Sequence, residues 1–336
     1  MKEAALYSQE PGDKITCLTC AHNCIISPGK RGVCRVRENR DSKLYSLVYG
    51  KPVATHCDPV EKKPLFHFLP GTRAFSIATA GCNMHCLNCQ NADISQAGPE
   101  ITGNMADVPP EKAVDAALVQ DCSSIAYTYT EPAVFLDYMH DIAVPAREAG
   151  LKNIAITNGF WSNEALEYMA PLLDAVNIDL KFFSDDLYKK VCGARLEPVL
   201  HTIQQMKDMG VWVEVTTLVI PGLNDAESHL ADIAAFIASV DTGIPWHISR
   251  FFPYYRMKDR SPTPVETLTM ARQAGIHAGL KFVYTGNIPG DEGEHTFCPE
   301  CREKIVSRYG FSILNNDIDA GHCARCGAPV PGVWAD

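Results

Sequence analysis

The chain has 336 residues, 46% apolar, 21% charged and 9% aromatic, the balance of a globular protein with a sizeable core. That composition and length exclude wholesale disorder and a small disulfide-stapled scaffold. Thirty Lys and Arg against forty Asp and Glu leave a net charge of -10, which gives no general attraction to nucleic acid or anionic lipid.

The opening segment, MKEAALYSQEPGDK, has no apolar signal core. No stretch of the sequence approaches the roughly 18 apolar residues of a membrane span. A cytoplasmic protein is expected, without nucleic-acid or membrane partners. Residues 1–70 read as a Cys-rich extension, with Cys17, Cys20, Cys24 and Cys34 spaced x2, x3 and x9, and Pro28-Gly29 and Gly32 in the return loop. Such short spacings let thiolates converge on metal but would close strained disulfides. Zinc is the expected occupant, an iron-sulfur cluster is the rival, and His22 is a possible substitute ligand.

From 73 to 285, short β-branched runs alternate with amphipathic stretches, the rhythm of a parallel sheet covered by helices. Strands are predicted near 73–79, 123–129, 152–157, 175–181, 211–219, 245–251 and 281–285. Six helical segments separate them, several stopping at Gly. The predicted fold is α/β, a partial (β/α)6 TIM-like barrel over residues 71–289. In such a barrel the chemistry sits at the carboxyl ends of the strands. All seven predicted strand ends are polar or turn-forming: GCNMHCLNCQN, TYTEP, TNGF, IDLK, PGLND, RFFPYY and TGNIPG. On the fourth, Asn177, Asp179 and Lys181 share one face by the period of two, where a plain buried strand carries Val or Ile.

The loop after the first predicted strand holds Cys82, Cys86 and Cys89, spaced x3 and x2. Three thiolates are one short of a closed zinc site, whereas a four-iron cluster on three cysteines keeps one iron open. A zinc site completed by His85 or His67 is the alternative. Residues 290–336 carry Cys298-x2-Cys301 and Cys323-x2-Cys326, a zinc-ribbon-like arrangement in which two knuckles present four thiolates, with an iron-sulfur cluster again the rival. Cys57, Cys122 and Cys192 are scattered and read as ordinary buried thiols.

The Cys-x3-Cys-x2-Cys loop at the end of the first barrel strand resembles the radical S-adenosylmethionine (SAM) superfamily. The stretch TNGFWSNEALEYMAPLLDAVNIDLKFFSDDLYKKVCG resembles the pyruvate formate-lyase activating enzymes in order and spacing, as do VIPGLND and FFPYYRM. With HNCIISPGKRGVC in front and TGNIPGDEGEHTFCPEC behind, the likeness is nearer to the AmmeMemoRadiSam system radical SAM enzymes. The resemblance implies a [4Fe-4S] cluster on Cys82, Cys86 and Cys89, reduced by a ferredoxin- or flavodoxin-type donor. It implies SAM on the open iron and a 5'-deoxyadenosyl radical that abstracts hydrogen from a substrate. Memo-like and Amme-type proteins are implied partners. By family position, Thr130 and Glu131 meet the SAM amino group, and Asn158, Asp179 and Lys181 hold its methionine end. His247 and Arg250 are further candidate contacts, although a core role for His247 fits the sequence equally, as does a buried ion pair for Asp179 and Lys181.

Tyr129 and Thr130 stand where the family has two glycines, Ile156 where the activating enzymes have an acidic residue at a cation site, Asn88 where an aromatic packs near adenine, and Tyr255 at a family histidine. The departures at Tyr129, Thr130 and Ile156, with the appended Cys-rich modules, favour a small molecule or a residue of a partner such as a Memo-like protein over a glycyl residue on a partner enzyme, the substrate of a glycyl-radical activase. A non-catalytic electron carrier or scaffold is the reading from another class.

Overall fold

Eight strands make one continuous sheet in the computed structural model, which describes residues 1–103 and 105–334. In chain order they are β1 (Ala54–Pro59), β2 (Arg73–Ala78), β3 (Ser124–Tyr127), β4 (Lys152–Thr157), β5 (Ala175–Asp179), β6 (Trp212–Val219), β7 (Trp246–Arg250) and β8 (Val283–Gly286). Spatial order follows chain order, with β1 antiparallel to β2 and every other neighbour parallel. Six helices fill the crossovers: α1 (Pro110–Val119), α2 (Leu136–Glu148), α3 (Asn163–Met169), α4 (Glu197–Asp208), α5 (Glu227–Val240) and α6 (Val265–His277). The two edge strands, β1 and β8, are not bonded to each other, so the barrel is partial, as its sequence rhythm predicts.

The local causes are ordinary. Strand segments such as SIAY and AVNI are buried on both faces, as parallel strands under helices must be. Ser162 caps α3 by accepting the Ala165 N–H at 3.1 Å. Gly150 and Gly210 follow α2 and α4 at φ +80° and +81°, where a side chain would be strained. The antiparallel strand β1 was not predicted. Its ATHCDP segment lacks an apolar run because only Asp58 is buried, and an edge strand needs no second covered face. A barrel strand therefore lies inside the stretch read from sequence as the 1–70 extension.

The ends of the barrel are closed differently. Beneath the sheet, the segment linking β1 to β2 is tied in by Asn177 Nδ2 donating to the Pro64 carbonyl at 2.7 Å, and by Glu214 accepting the peptide N–H groups of Phe66 and His67 at 3.0 and 2.8 Å. The carboxyl-terminal module, with strands Thr296–Phe297, Lys304–Tyr309 and Ser312–Asn316, packs Cys298, Ile305, Cys323 and Val330 against Phe66, Phe282 and Tyr284. Its buried Arg308 stacks on the Phe66 ring at 4.2 Å and donates to the Phe66 carbonyl at 3.0 Å. The module therefore braces the base of the barrel and not its mouth. The amino-terminal extension forms two small antiparallel sheets, and the one with Lys2–Glu3, Arg37–Arg40 and Lys43–Ser46 meets α2, where buried Arg37 pairs with Asp137 at 2.8 Å.

Candidate active site

One cavity opens at the carboxyl ends of the strands. It is lined by Cys82, Cys86 and Cys89, by Thr130 and Glu131 after β3, by Asn158 after β4, and by Asp179 and Lys181 at the end of β5. The three cysteines sit on a loop fixed by backbone bonds: Gly81 N–H to Ile94, His85 N–H to Cys192, and Leu87 N–H to Val191. Gly81 has φ +95°, and a Cβ there would meet Val36 at 2.7 Å and the Cys34 carbonyl at 2.9 Å, so only glycine lets the loop begin here. Burial pushes the Cys82 and Cys89 thiols up, which keeps them protonated until a cation takes the proton's place. Cys86 goes the other way, lowered by a hydrogen bond from buried Cys192 behind it.

Glu131 is the organising acid of this wall. Its Oε1 accepts from Ala133 N–H at 3.1 Å, Thr157 Oγ1 at 2.8 Å and Trp161 Nε1 at 2.9 Å, while Oε2 accepts the Asn158 N–H at 2.8 Å. Burial raises its pKa despite those donors. Asn158 in turn donates from Nδ2 to Asn83 Oδ1 at 2.8 Å, which connects β4 to the cysteine loop. Lys181 Nζ meets Asp179 at 2.7 Å. Burial alone would lower the lysine pKa, but Asp179 and the sulfurs of Cys86 and Cys192 outweigh it and hold the ammonium charged. The ion pair anticipated for these two residues exists, and both members also line the cavity.

Tyr129 takes φ +62°, the left-handed region that its glycine counterpart would favour. Its hydroxyl donates to Asp58, which also pairs with Lys63 at 2.6 Å, and this anchor holds the unusual backbone. Sequence reading missed Asp58, Lys62 and Lys63, because β1 carried no recognisable pattern. Asn88 lines the cavity beside Cys89, and its buried Oδ1 has no partner within the protein.

Two sequence candidates are not brought to the mouth. His247 shares the inward face of β7 with Ser249 but lies two residues, roughly 6.6 Å, deeper. There its Nε2 bonds Glu214 at 2.6 Å within the base. Arg250 falls on the opposite face, donating to the Thr263 carbonyl at 2.8 Å over the Phe252 ring. The two histidines weighed as a fourth ligand are engaged elsewhere, and Cys192, which touches Cys86 from behind, does not line the cavity. His85 Nδ1 is engaged by Gln96 at 2.8 Å, and His67 lies in the base against Tyr284 at 2.6 Å. The loop thus fits a cluster with one open iron and does not fit a closed zinc site.

Elsewhere, the sulfurs of Cys298 and Cys326 stand 3.7 Å apart and those of Cys301 and Cys323 3.9 Å apart, a group compatible with one metal ion. Cys17, Cys20, Cys24 and Cys34 line a separate small cavity in the extension. Cys57 on β1 and Cys122 just before β3 meet at 2.8 Å.

Residues 76–234 match the Radical SAM superfamily. An uncharacterized protein of Methanocaldococcus jannaschii is 45% identical over 333 residues, 98% of this chain and 99% of that one. A pyruvate formate-lyase-activating enzyme of Staphylococcus aureus is 23% identical over 199 residues, 56% of this chain and 76% of its own length. Among solved structures, SuiB of Streptococcus suis bound to its precursor peptide SuiA superposes with a TM-score of 0.50 at 13% identity, covering 68% of this chain and 51% of that one, a likeness of fold. The chain belongs to the radical SAM superfamily. It is an enzyme of that class, which cleaves SAM reductively at a [4Fe-4S] cluster to a 5'-deoxyadenosyl radical that abstracts hydrogen from its substrate. Among the described residues no helix is long and apolar enough to cross a membrane.

Proposed function

We propose that Cys82, Cys86 and Cys89 ligate the [4Fe-4S] cluster and that the polar strand ends around them grip SAM. The observation that carries this reading is the convergence of the three sulfurs with Glu131, Asn158, Asp179 and Lys181 on one cavity. When bound and reduced by one electron, SAM supplies the radical. The protein's part is to bind, orient and shield. Lys181, kept protonated by Asp179, offers a charge-assisted bond to the SAM carboxylate. Glu131 and Thr130 face the SAM ammonium, and the Glu131 Oε2, with one protein donor, retains capacity to accept from it. Asn158 fixes the cysteine loop to β4, and the unpartnered Asn88 Oδ1 suits an amine hydrogen such as that of adenine.

The same reading takes the enzyme to be of the AmmeMemoRadiSam type, served in the cytoplasm by a ferredoxin- or flavodoxin-class donor and acting with Memo-like or Amme-type partners. The substrate is then a small molecule or a partner residue other than a glycyl residue. Tyr129, Thr130 and Ile156 support that preference. The four carboxyl-terminal sulfurs suit zinc: thiolates about 2.3 Å from a tetrahedral ion stand about 3.8 Å from one another, as these do.

Anaerobic reconstitution followed by an assay of 5'-deoxyadenosine, with and without candidate partners, tests the proposal. SAM cleavage is expected in the native chain and absent in the C82A/C86A/C89A variant, with deuterium passing from a labelled substrate into 5'-deoxyadenosine. Unchanged cleavage in the variant would overturn the assignment, and a glycyl radical on a partner would replace the preferred substrate class by the activase one.

A further inference from the structure

The extension and the carboxyl-terminal module each carry four cysteines, yet they present them differently. Among the described residues, Cys298, Cys301, Cys323 and Cys326 are the one group of three or more candidate ligands whose atoms all lie within 4.8 Å of one another. Cys17, Cys20, Cys24 and Cys34 enclose a common cavity but stand further apart. So do Cys82, Cys86 and Cys89, the ligands of a four-iron cluster. A single zinc ion draws its four sulfurs to edges of about 3.8 Å. A cubane binds each thiolate through a different iron, so its ligands are held apart by the width of the cluster.

A second observation comes from Arg37. The residue is 1% exposed and lines the four-cysteine cavity. Its Nη2 is taken by Asp137, while Nε and Nη1 have no partner within the protein. Two orphaned nitrogens with three N–H groups between them, on a buried cation, call for an anion with several acceptors, because leaving those bonds unmade costs a desolvation penalty. A thiolate-ligated iron-sulfur core is such an anion, and its sulfides add acceptors that a zinc tetrathiolate lacks.

From these two observations we infer that Cys17, Cys20, Cys24 and Cys34 hold a second iron-sulfur cluster, of the four-iron type, with Arg37 donating to it. The zinc expected from spacing alone gives way to this assignment, because x2, x3 and x9 spacings serve either metal, whereas the wider-set sulfurs and the unpartnered Arg37 donors favour the cluster. The site abuts the catalytic loop. The Cys34 carbonyl packs on Gly81, next to Cys82, and His22 Nε2 bonds the Asn83 carbonyl at 2.8 Å. Ala133 and Val134, which follow Glu131, form another wall of the same cavity. A second redox group therefore sits one layer of backbone from the first.

The comparison with Cys82, Cys86 and Cys89 rests on the proposed mouth cluster, and the test keeps the two sites apart. The full chain and its C82A/C86A/C89A variant are reconstituted anaerobically and assayed for iron, sulfide and zinc, with electron paramagnetic resonance after dithionite reduction. About eight irons in the native chain, about four irons and four sulfides in the variant, and about one zinc in each are expected. An additional C20A/C24A change should remove the remaining signal. The native metal content is decisive even if that last variant does not fold. No iron in the C82A/C86A/C89A variant, with about two zincs, would overturn the inference. Equal iron in the native chain and that variant would instead overturn the mouth assignment.

Discussion

Both ends of the barrel carry polar side chains and treat them in opposite ways. At the base, Glu214 is fully buried and satisfied on all sides: by His247, by Trp212 Nε1 at 3.0 Å and by the peptides of Phe66 and His67. His67 is likewise held between the Pro331 carbonyl at 2.7 Å and Tyr284 at 2.6 Å. At the mouth, Asp179, Lys181 and Asn88 line open space, and one acceptor has no partner at all. Buried polar groups that saturate one another build structure; those left with open valence await a ligand. The contrast explains why His247, chemically suited to a site, belongs to the frame.

The contrast breaks if base and mouth variants behave alike. The largest effect on stability is expected at Glu214. Glu214→Ala strands one histidine, one indole and two peptide N–H groups, and should cost about 3–5 kcal/mol in denaturant unfolding. A loss below about 1 kcal/mol would mean that the base is not the frame described.

Acidification probes the same end more gently. Burial pushes His67 down to about 4 from 6.5, so its neutral form is the one the fold holds. Above pH 6.5 folded and unfolded chains both carry it neutral, and the stability is present. Between 6.5 and about 4 only the unfolded chain takes up the proton, so stability falls as pH falls, by up to roughly 3 kcal/mol. His67→Gln should flatten that part of the pH profile, and an unchanged slope would assign the acid sensitivity elsewhere.

At the mouth, Lys181→Met should leave unfolding within about 0.5 kcal/mol of the native chain, since its charge pair is partly exposed. It should nevertheless weaken SAM binding by about 10- to 100-fold, the worth of a charged hydrogen bond, read from the SAM-induced change in the cluster's paramagnetic spectrum. A stability loss without an affinity loss would reverse the contrast.

Much of this was legible beforehand. The seven parallel strands, their six helices and the polar strand ends follow from periodicity, because buried parallel strands and amphipathic helices write their burial into every turn of sequence. Asp179 and Lys181 were readable as polar residues where the pattern demands apolar ones, the cysteine loop from its spacing, and Glu131 and Asn158 from the family resemblance at polar strand ends. Glu214 gave the same signal inside VWVEVTTLV but carried no sign of which end of the strand it served. Asp58 and Lys63 were hidden, since β1 is an edge strand and its pairing with Tyr129 spans 71 residues of chain. Arg37 stands in no pattern that marks it for burial, and only the fold buries it.

The unjoined edges of the sheet have one more consequence. Lys62 and Lys63, just beyond β1, and Asn287, just beyond β8, reach the cavity from opposite sides of the gap between those strands. No strand ladder joins β1 to β8, and the gap is closed at the base by the carboxyl-terminal module, through Leu69 N–H to the Val333 carbonyl and Val333 N–H to the His67 carbonyl, both at 2.7 Å. The module thus serves as the clasp of an otherwise open ring.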